Sequence, residues 1–252
     1  MRLATFNLLH GRSLTDGLVD AGRLREAVAA LDADVLGIQE VDRDQSRSHA
    51  LDLTAEVAAG MCAVDSRFVP AISGTPGEVW QAATDSDAAG TPAYGIGLVC
   101  RLPVRRWHVL TLPAAPVRSP ILLPGTKKLI WLQDEPRAAV AAEIDTEHGP
   151  LTVATTHLSF VPVWNGVQLR KVTTWLQGLP GPYVLLGDLN MPGPFPRALT
   201  GWRVLAPAKT YPGWEPKIQL DHILGKGVLP PVRMVETPSL PLSDHRALAI
   251  VL

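Results

Sequence analysis

Tyr183-Val184-Leu185-Leu186-Gly187-Asp188-Leu189-Asn190 is the stretch from which the rest of the chain can be read. Its first four residues form a short apolar run of the kind shown by a strand covered on both faces. The run ends in a carboxylate and, two residues on, an amide; at that spacing on an extended segment the two share a side. A carboxylate at the end of a buried strand is costly unless a cation or a hydrogen-bonding partner offsets it. Asp188 is thus a candidate to orient or deprotonate a water, with Asn190 beside it to hold a phosphoryl oxygen. An Asp-Asn turn before Pro192-Gly193 is the structural alternative, and the two can coexist.

The same signature recurs along the chain. The strand Arg2 to Leu8 carries Asn7 at its end, and the apolar run Asp34 to Ile38 leads into Gln39-Glu40. The strand from Leu151 ends Thr155-Thr156-His157, Gln219-Leu220 leads into Asp221-His222, and Ser243-Asp244-His245 precedes the last strand. Packing alone does not explain Glu40, Asp188, Asp221 and Asp244 all in such positions. Oxygen donors of this kind suit a hard cation such as Mg²⁺. No His-Glu-x-x-His pattern and no paired-cysteine cluster points to zinc.

Between these ends the chain alternates strand-like and helix-like segments. Helical spacing of apolar residues predicts helices over Leu18 to Leu31, Leu51 to Ala59 and Val163 to Leu176. Strands are expected at Phe68 to Ile72, Arg137 to Ile144 and Val232 to Glu236, and Ile96 to Cys100 is expected to pair with Val104 to Leu112 around Arg101-Leu102-Pro103. Residues 73–93 and the proline-rich 113–136 read as long irregular loops bordering a cleft. The pattern is a layered α/β domain with mixed sheets rather than a strict βαβ alternation, and a single domain over 1–252 is expected. A 46% hydrophobic share fits a globular protein. The net charge of −1 argues mildly against nonspecific nucleic-acid binding. Lys127-Lys128, Arg105-Arg106 and Arg170-Lys171 are the adjacent basic pairs, usual for solvated surface. Cys62 and Cys100 make no disulfide framework and read as two buried thiols. With no apolar run long enough to span a bilayer and no signal core at the N-terminus, a monomer in the cytoplasm is expected.

Taken in order, Thr5-Phe6-Asn7, Ile38-Gln39-Glu40, Thr156-His157-Leu158, Gly187-Asp188-Leu189-Asn190, Leu220-Asp221-His222 and Ser243-Asp244-His245 resemble the endonuclease/exonuclease/phosphatase superfamily, of deoxyribonuclease I-like fold. Each motif alone is weak; the ordered set, spanning nearly the whole chain, is specific. The resemblance implies a four-layer α/β/β/α sandwich of two mixed sheets with helices outside and the site at one edge. It implies Glu40 as the principal metal carboxylate, with Asn7 as its neutral neighbour, although an Asn capping a turn is a credible alternative. His245 resembles the histidine that contacts the scissile phosphate. Neighbours on an extended segment point opposite ways, so Asp221 is better placed than Asp244 to orient it, and Asp244 then faces the metal. His157 resembles a second phosphate-facing histidine, able to protonate the leaving oxygen; a histidine satisfied by backbone is the alternative. His10 and Arg137 are weaker candidates for phosphate, each as readily a turn histidine or a surface base. Leu9 stands where some nucleases of this kind carry a second acidic residue, and His222 is expected to pack away from Asp221.

The resulting expectation is a hydrolase of phosphate esters using Mg²⁺, with Mn²⁺ as a substitute. A nuclease of the same superfamily is the alternative, and a non-catalytic protein that kept the fold is disfavoured because the whole residue set is present.

Overall fold

Strand alternation sorts the buried apolar residues of this chain into three separate zones of contact. The computed structural model describes residues 1–84, 86–88, 90–122 and 129–252, with the side chains of 121, 122 and 130 left aside. In chain order the first half contains β1 (Arg2–Asn7), α1 (Ala21–Leu31), β2 (Val35–Arg43), α2 (Leu53–Met61), β3 (Asp65–Gly74), β4 (Trp80–Ala82), β5 (Ala93–Cys100) and β6 (Val104–Leu112). The second contains β7 (Arg118–Leu122), β8 (Leu129–Gln133), β9 (Arg137–Thr146), β10 (Gly149–His157), α3 (Trp164–Gln177), β11 (Tyr183–Asp188), α4 (Phe195–Thr200), β12 (Arg203–Val204), β13 (Asp221–Lys226), β14 (Met234–Glu236) and β15 (Leu248–Val251). One sheet runs β14-β15-β1-β2-β5-β3-β4, the other β12-β13-β11-β10-β9-β6, and β7-β8 form a separate ribbon. Each large sheet has one parallel pair, β1 with β2 and β10 with β11, among antiparallel ones.

Between the sheets lie Leu3, Val35, Leu98, Val140, Val153, Val184, Leu186, Ile223 and Ile250. The alternate residues of the first sheet, Ala4, Phe6, Leu36 and Ile38 among them, meet Leu24, Val28 and Leu31 of α1 and Leu53, Val57 and Met61 of α2. Ala139, Ala141, Ala154, Leu185 and Leu224 of the second sheet meet Leu169, Val172 and Leu176 of α3 together with Trp202. Every strand that contributes to two zones does so by its period of two. The result is the expected four-layer helix–sheet–sheet–helix sandwich. Gly37 allows the two sheets to approach closely: a Cβ there would sit 2.5 Å from Thr155 Oγ1.

The helices begin later than the spacing predicted because caps fix their starts. Asp20 accepts a hydrogen bond from the Arg23 amide and Asp52 from the Ala55 amide, so α1 opens at Ala21 and α2 at Leu53. The expected pairing of Ile96 to Cys100 with Val104 to Leu112 does not form. β5 is buried along its whole length and lies between β2 and β3, whereas β6 is largely exposed or half-buried and takes an edge of the other sheet. Arg101-Leu102-Pro103 therefore carries the chain from one sheet to the other. Residues 73–93 and 113–136 are not wholly irregular. β3 extends to Gly74 and pairs with β4, and the ribbon β7-β8 accommodates Pro120 because a two-stranded ribbon leaves some N–H positions unpaired. Lys127-Lys128 lies outside the described residues. Of the two free cysteines Cys100 is buried, but Cys62, at the C-terminus of α2, is exposed. Among the described residues no helix is long and apolar enough to cross a membrane.

Candidate active site

Register brings the polar strand ends together. His157 of β10 pairs with Asp188 of β11, which pairs with Asp221 of β13, so three candidate side chains form a row across adjacent strands. Their parity is that of Val153, Val184 and Ile223, which places the row on the inner face of the second sheet, at the edge of the sandwich. From the first sheet, Asn7 shares the inner parity of Leu3. Its amide donates to Asp188 Oδ2 at 3.1 Å and to Glu40 Oε1 at 3.0 Å, bridging carboxylates from both sheets. The same Asn7 accepts the Leu9 amide at 3.1 Å, so the turn-capping role coexists with this one.

Glu40 reaches the site only because β2 is irregular. Val35, Gly37 and Gln39 point inward, so a regular strand would send Glu40 towards the helices. The pairing with β5 shifts register between Ile38 and Val41, and Glu40 takes a left-handed φ of 53°. Such a bulge re-aims one side chain. Behind it, Gln39 donates to Thr155 Oγ1 at 2.9 Å and accepts from Thr5 Oγ1 at 3.2 Å, a buried bridge between the sheets that holds the bulge. Neither Gln39 nor Ser243 was singled out from the sequence, although each adjoins a residue that was. Ser243 donates to the Asn7 carbonyl at 2.6 Å and accepts the His245 amide at 3.0 Å, tying the final loop to β1.

His245 Nδ1 lies 2.8 Å from Asp221 Oδ2. Burial acts to lower its pKa, but Asp221, with Asp188 and Asp244 beyond, outweighs it and lifts it to about 10. The imidazolium form therefore stabilises the fold fully below the ordinary value near 6.5, and that contribution is lost as pH rises through about 10. Asp221→Asn removes the largest raising influence. Its melting temperature, followed from pH 6 to 11, is expected to begin its alkaline decline at lower pH than the parent's; coincident profiles would refute the pairing's electrostatic role. Asp188, buried, is pushed up to about 7, chiefly by burial and further by Asp221, against the opposing pull of His245. Its Oδ1 accepts the Asn190 amide at 2.9 Å. His157 Nε2 and His245 Nε2 converge on its Oδ2 at 3.7 and 3.8 Å. Burial, then Arg137 and His245, push the His157 pKa far down.

Asp244 and Glu40 line the same cleft of about 940 Å³ as Asp188, Asn190, His157, His245 and Arg137. Glu40 accepts one amide hydrogen bond, and burial first and Asp244's like charge later push its pKa up. Oxygen donors whose charge is this poorly compensated fit a hard divalent cation. Asp188, Asp221 and His245 also bring one ligand atom each within 4.8 Å of one another. Within that trio His245 Nδ1 is already hydrogen-bonded to Asp221 Oδ2. His10 is not among the cleft residues: the left-handed turn at Leu9 and His10 carries it towards Arg47 and Asp42, where burial and Arg47 lower its pKa to about 4. His222 packs away from Asp221, onto the Met191 carbonyl at 2.8 Å. Tyr211, whose ring lies 4.9 Å from that of His245, along with Tyr94, Trp80 and Glu135, completes the cleft wall without having stood out in the sequence.

Residues 4–245 match the model of the Endonuclease/Exonuclease/phosphatase family. Among solved structures, an endonuclease/exonuclease/phosphatase from Beutenbergia cavernae is 19% identical with a TM-score of 0.66, over 99% of this chain and 70% of that one. A mannosyl-6-phosphatase from Bacteroides thetaiotaomicron is 15% identical with a TM-score of 0.62, over 100% and 98%. A sphingomyelinase C from Streptomyces griseocarneus is 15% identical with a TM-score of 0.59, over 99% and 98%. No curated protein matches the chain in sequence.

Proposed function

This chain belongs to the endonuclease/exonuclease/phosphatase family, whose members are phosphoester hydrolases, and on that premise we propose that it is a divalent-metal-dependent hydrolase of small phosphate esters. The observation that carries the reading is the convergence of two histidine Nε2 atoms and the Asn7 amide on one Asp188 oxygen at the wall of the cleft. At 3.7 and 3.8 Å neither histidine is hydrogen-bonded to that oxygen.

In this reading Asp188, with its pKa near neutrality, accepts the proton of the attacking water, a task for which such a value is suited. The His245 imidazolium, held by Asp221, faces the phosphoryl oxygens as negative charge builds there. Asn190, held by its left-handed backbone, by Asn165 Nδ2 donating to its carbonyl at 2.9 Å and by its own Nδ2 donating to the Leu158 carbonyl at 2.9 Å, lies beside the same group. Glu40 and Asp244, with Asn7 beside them, would hold Mg²⁺ or Mn²⁺; when bound, the ion neutralises phosphate charge and polarises the scissile ester. Arg137 and His10 were weaker candidates for phosphate, and only Arg137 borders the cleft.

For the substrate, the cleft's charge favours a small ester over a polynucleotide. Glu40, Glu78, Glu135, Asp188 and Asp244 line it, against the one guanidinium of Arg137 among the described residues. A polyanionic strand gains affinity from lysines and arginines along its track, which this wall does not offer. The neighbours named as a phosphatase and as a sphingomyelinase share the fold alone and leave the choice of ester open. The test is a Mg²⁺-dependent panel of intact and abasic DNA, RNA, inositol phosphates, sphingomyelin and bis(4-nitrophenyl) phosphate. Hydrolysis of small esters, abolished by chelator and restored by Mg²⁺ or Mn²⁺, is expected. Turnover of DNA alone would replace the small-ester reading with a nuclease, and absence of any turnover would remove the hydrolase assignment. Two free cysteines fit a reducing cytoplasm, the location we propose.

A further inference from the structure

The acidic cleft has an apolar neighbour on the other side of Asn190. A cavity of about 630 Å³ opens between the start of α3 and the segment that runs from Met191 into α4, and Asn190 lines both the cavity and the cleft. Pro162, Val163 and Val167 form its wall from the first segment, and Met191, Phe195 and Leu199 from the second. Among the described residues that line it, Arg170 alone is charged. The polar groups at its boundary are already engaged. Asn165 donates to the Asn190 carbonyl and accepts the Gly166 amide at 2.8 Å, while Asn190 Nδ2 donates to the Leu158 carbonyl. The wall therefore has apolar surface to offer a ligand and little else.

The side chains at the rim are not part of the protein's interior. Val163 is 82% exposed and Phe195 58%, Val167 also reaches solvent, and none of the three belongs to the buried zones described above. Val163 moreover holds φ 71°, a conformation that a β-branched residue adopts only at a cost. Apolar side chains scattered singly over a surface need no explanation, but three around one concavity mark a binding surface. Resting on the hydrolase reading above, we infer that this cavity is the subsite for an apolar arm of the substrate, which runs from the phosphate at Asp188 across Asn190 and leaves water there. Continuity decides the occupant. Asn190 Nδ2 lies 3.2 Å from His157 Nε2, inside the cleft, so one side chain separates the phosphate position from the apolar wall. The acidic wall disfavours a polyanion and the cavity favours hydrocarbon, so together they select an amphiphile with a single phosphate.

Alkylphosphonates test this, because their P–C bond resists hydrolysis and each carries one arm of chosen length. With Mg²⁺ present, the full chain is titrated by calorimetry with methyl-, butyl- and hexylphosphonate, and each is assayed as an inhibitor of bis(4-nitrophenyl) phosphate turnover. Kd and Ki are expected to fall by about 2- to 4-fold per added methylene, the gain from taking it out of water. Val167→Asn and Phe195→Asn change the cavity wall at solvent-exposed positions, outside the residues that surround Asp188, and add no charge. Both are expected to bind methylphosphonate as the parent does and to lose the dependence on length. Affinity independent of length in the parent, or a dependence that survives in the variants, would overturn the proposal. So would a parent that binds none of the three. A cavity that joins two copies of the chain would instead show as a concentration-dependent mass that Phe195→Asn abolishes, with no response to arm length, and that result also overturns it. If bis(4-nitrophenyl) phosphate is not turned over, the hydrolase reading fails, and the calorimetric series still decides what the cavity binds.

Discussion

Asp188→Asn is expected to lower kcat on bis(4-nitrophenyl) phosphate by about 10²–10⁴-fold with little change in KM, the loss typical when a positioned general base is removed. The substitution keeps the shape of the side chain and its contacts with the Asn190 amide, so the fold is retained. Its stability is expected to depart from the parent's in a pH-dependent way. Burial raises the Asp188 pKa from 3.8 to about 7, so the protonated carboxyl's contribution is fully present below 3.8 and lost as pH rises through about 7. Asparagine does not ionise and loses nothing over that window. With chelator present, the melting temperature of the variant relative to the parent should therefore be higher at pH 8 than at pH 4. Activity within 10-fold of the parent would remove Asp188 from the chemistry. A relative melting temperature that falls with pH would show that the buried carboxylate is compensated by something else.

Gly187→Ala is expected to be severely damaging. Gly187 sits at φ 145°, and a Cβ there would lie 2.0 Å from the Thr156 carbonyl oxygen, an atom of the adjacent strand's backbone. No rotamer relieves such a clash; β10 and β11 must move apart. The resulting loss is about 4 kcal/mol or more, in the range reserved for strain at a special backbone position, which for a chain of this size is a fall of about 10 °C in melting temperature. The displaced pair is also the one that aligns His157 with Asp188, so whatever folded fraction remains should lose turnover as well. Urea unfolding measures the first effect and activity per folded molecule the second. A loss below about 1 kcal/mol would mean that the two strands have more freedom than their packing suggests.

Which parts of this were legible beforehand follows from how far each residue's position depends on its own strand. Asp188, Asp221 and His157 could be read because each ends an apolar run and register does the rest. Distant Asp221 was rightly preferred to adjacent Asp244 as the partner of His245, although residues 243–245 form a loop rather than a strand, so alternation is not what aims the ring. Glu40 was legible as a residue but not as a direction: alternation from Val35 sends it to the wrong face, and only the bulge corrects it. No glycine marks that bulge in the sequence. His10 was misleading for the complementary reason, since two left-handed residues in a row turn the chain away within three positions of Asn7. The partners of Arg137 could not be read at all, because Asp134 and Glu135 come from the end of a ribbon that the prolines of 113–136 disguised. The false pairing of β5 with β6 arose from a short turn that serves equally well to change sheets.

The position of β1 also bears on how the protein is made. Its two neighbours are β2, about thirty residues away, and β15, whose Val251 lies opposite Arg2. During synthesis β1 can dock on β2 early, yet its other edge stays open until β15 has left the ribosome. Until then the nascent chain carries an unpaired strand edge, a liability for association with other chains. A contact between residues as distant as Arg2 and Val251 also makes for slow closure. The same event brings in the His245 loop, so the site proposed here and the pairing of β1 are completed together.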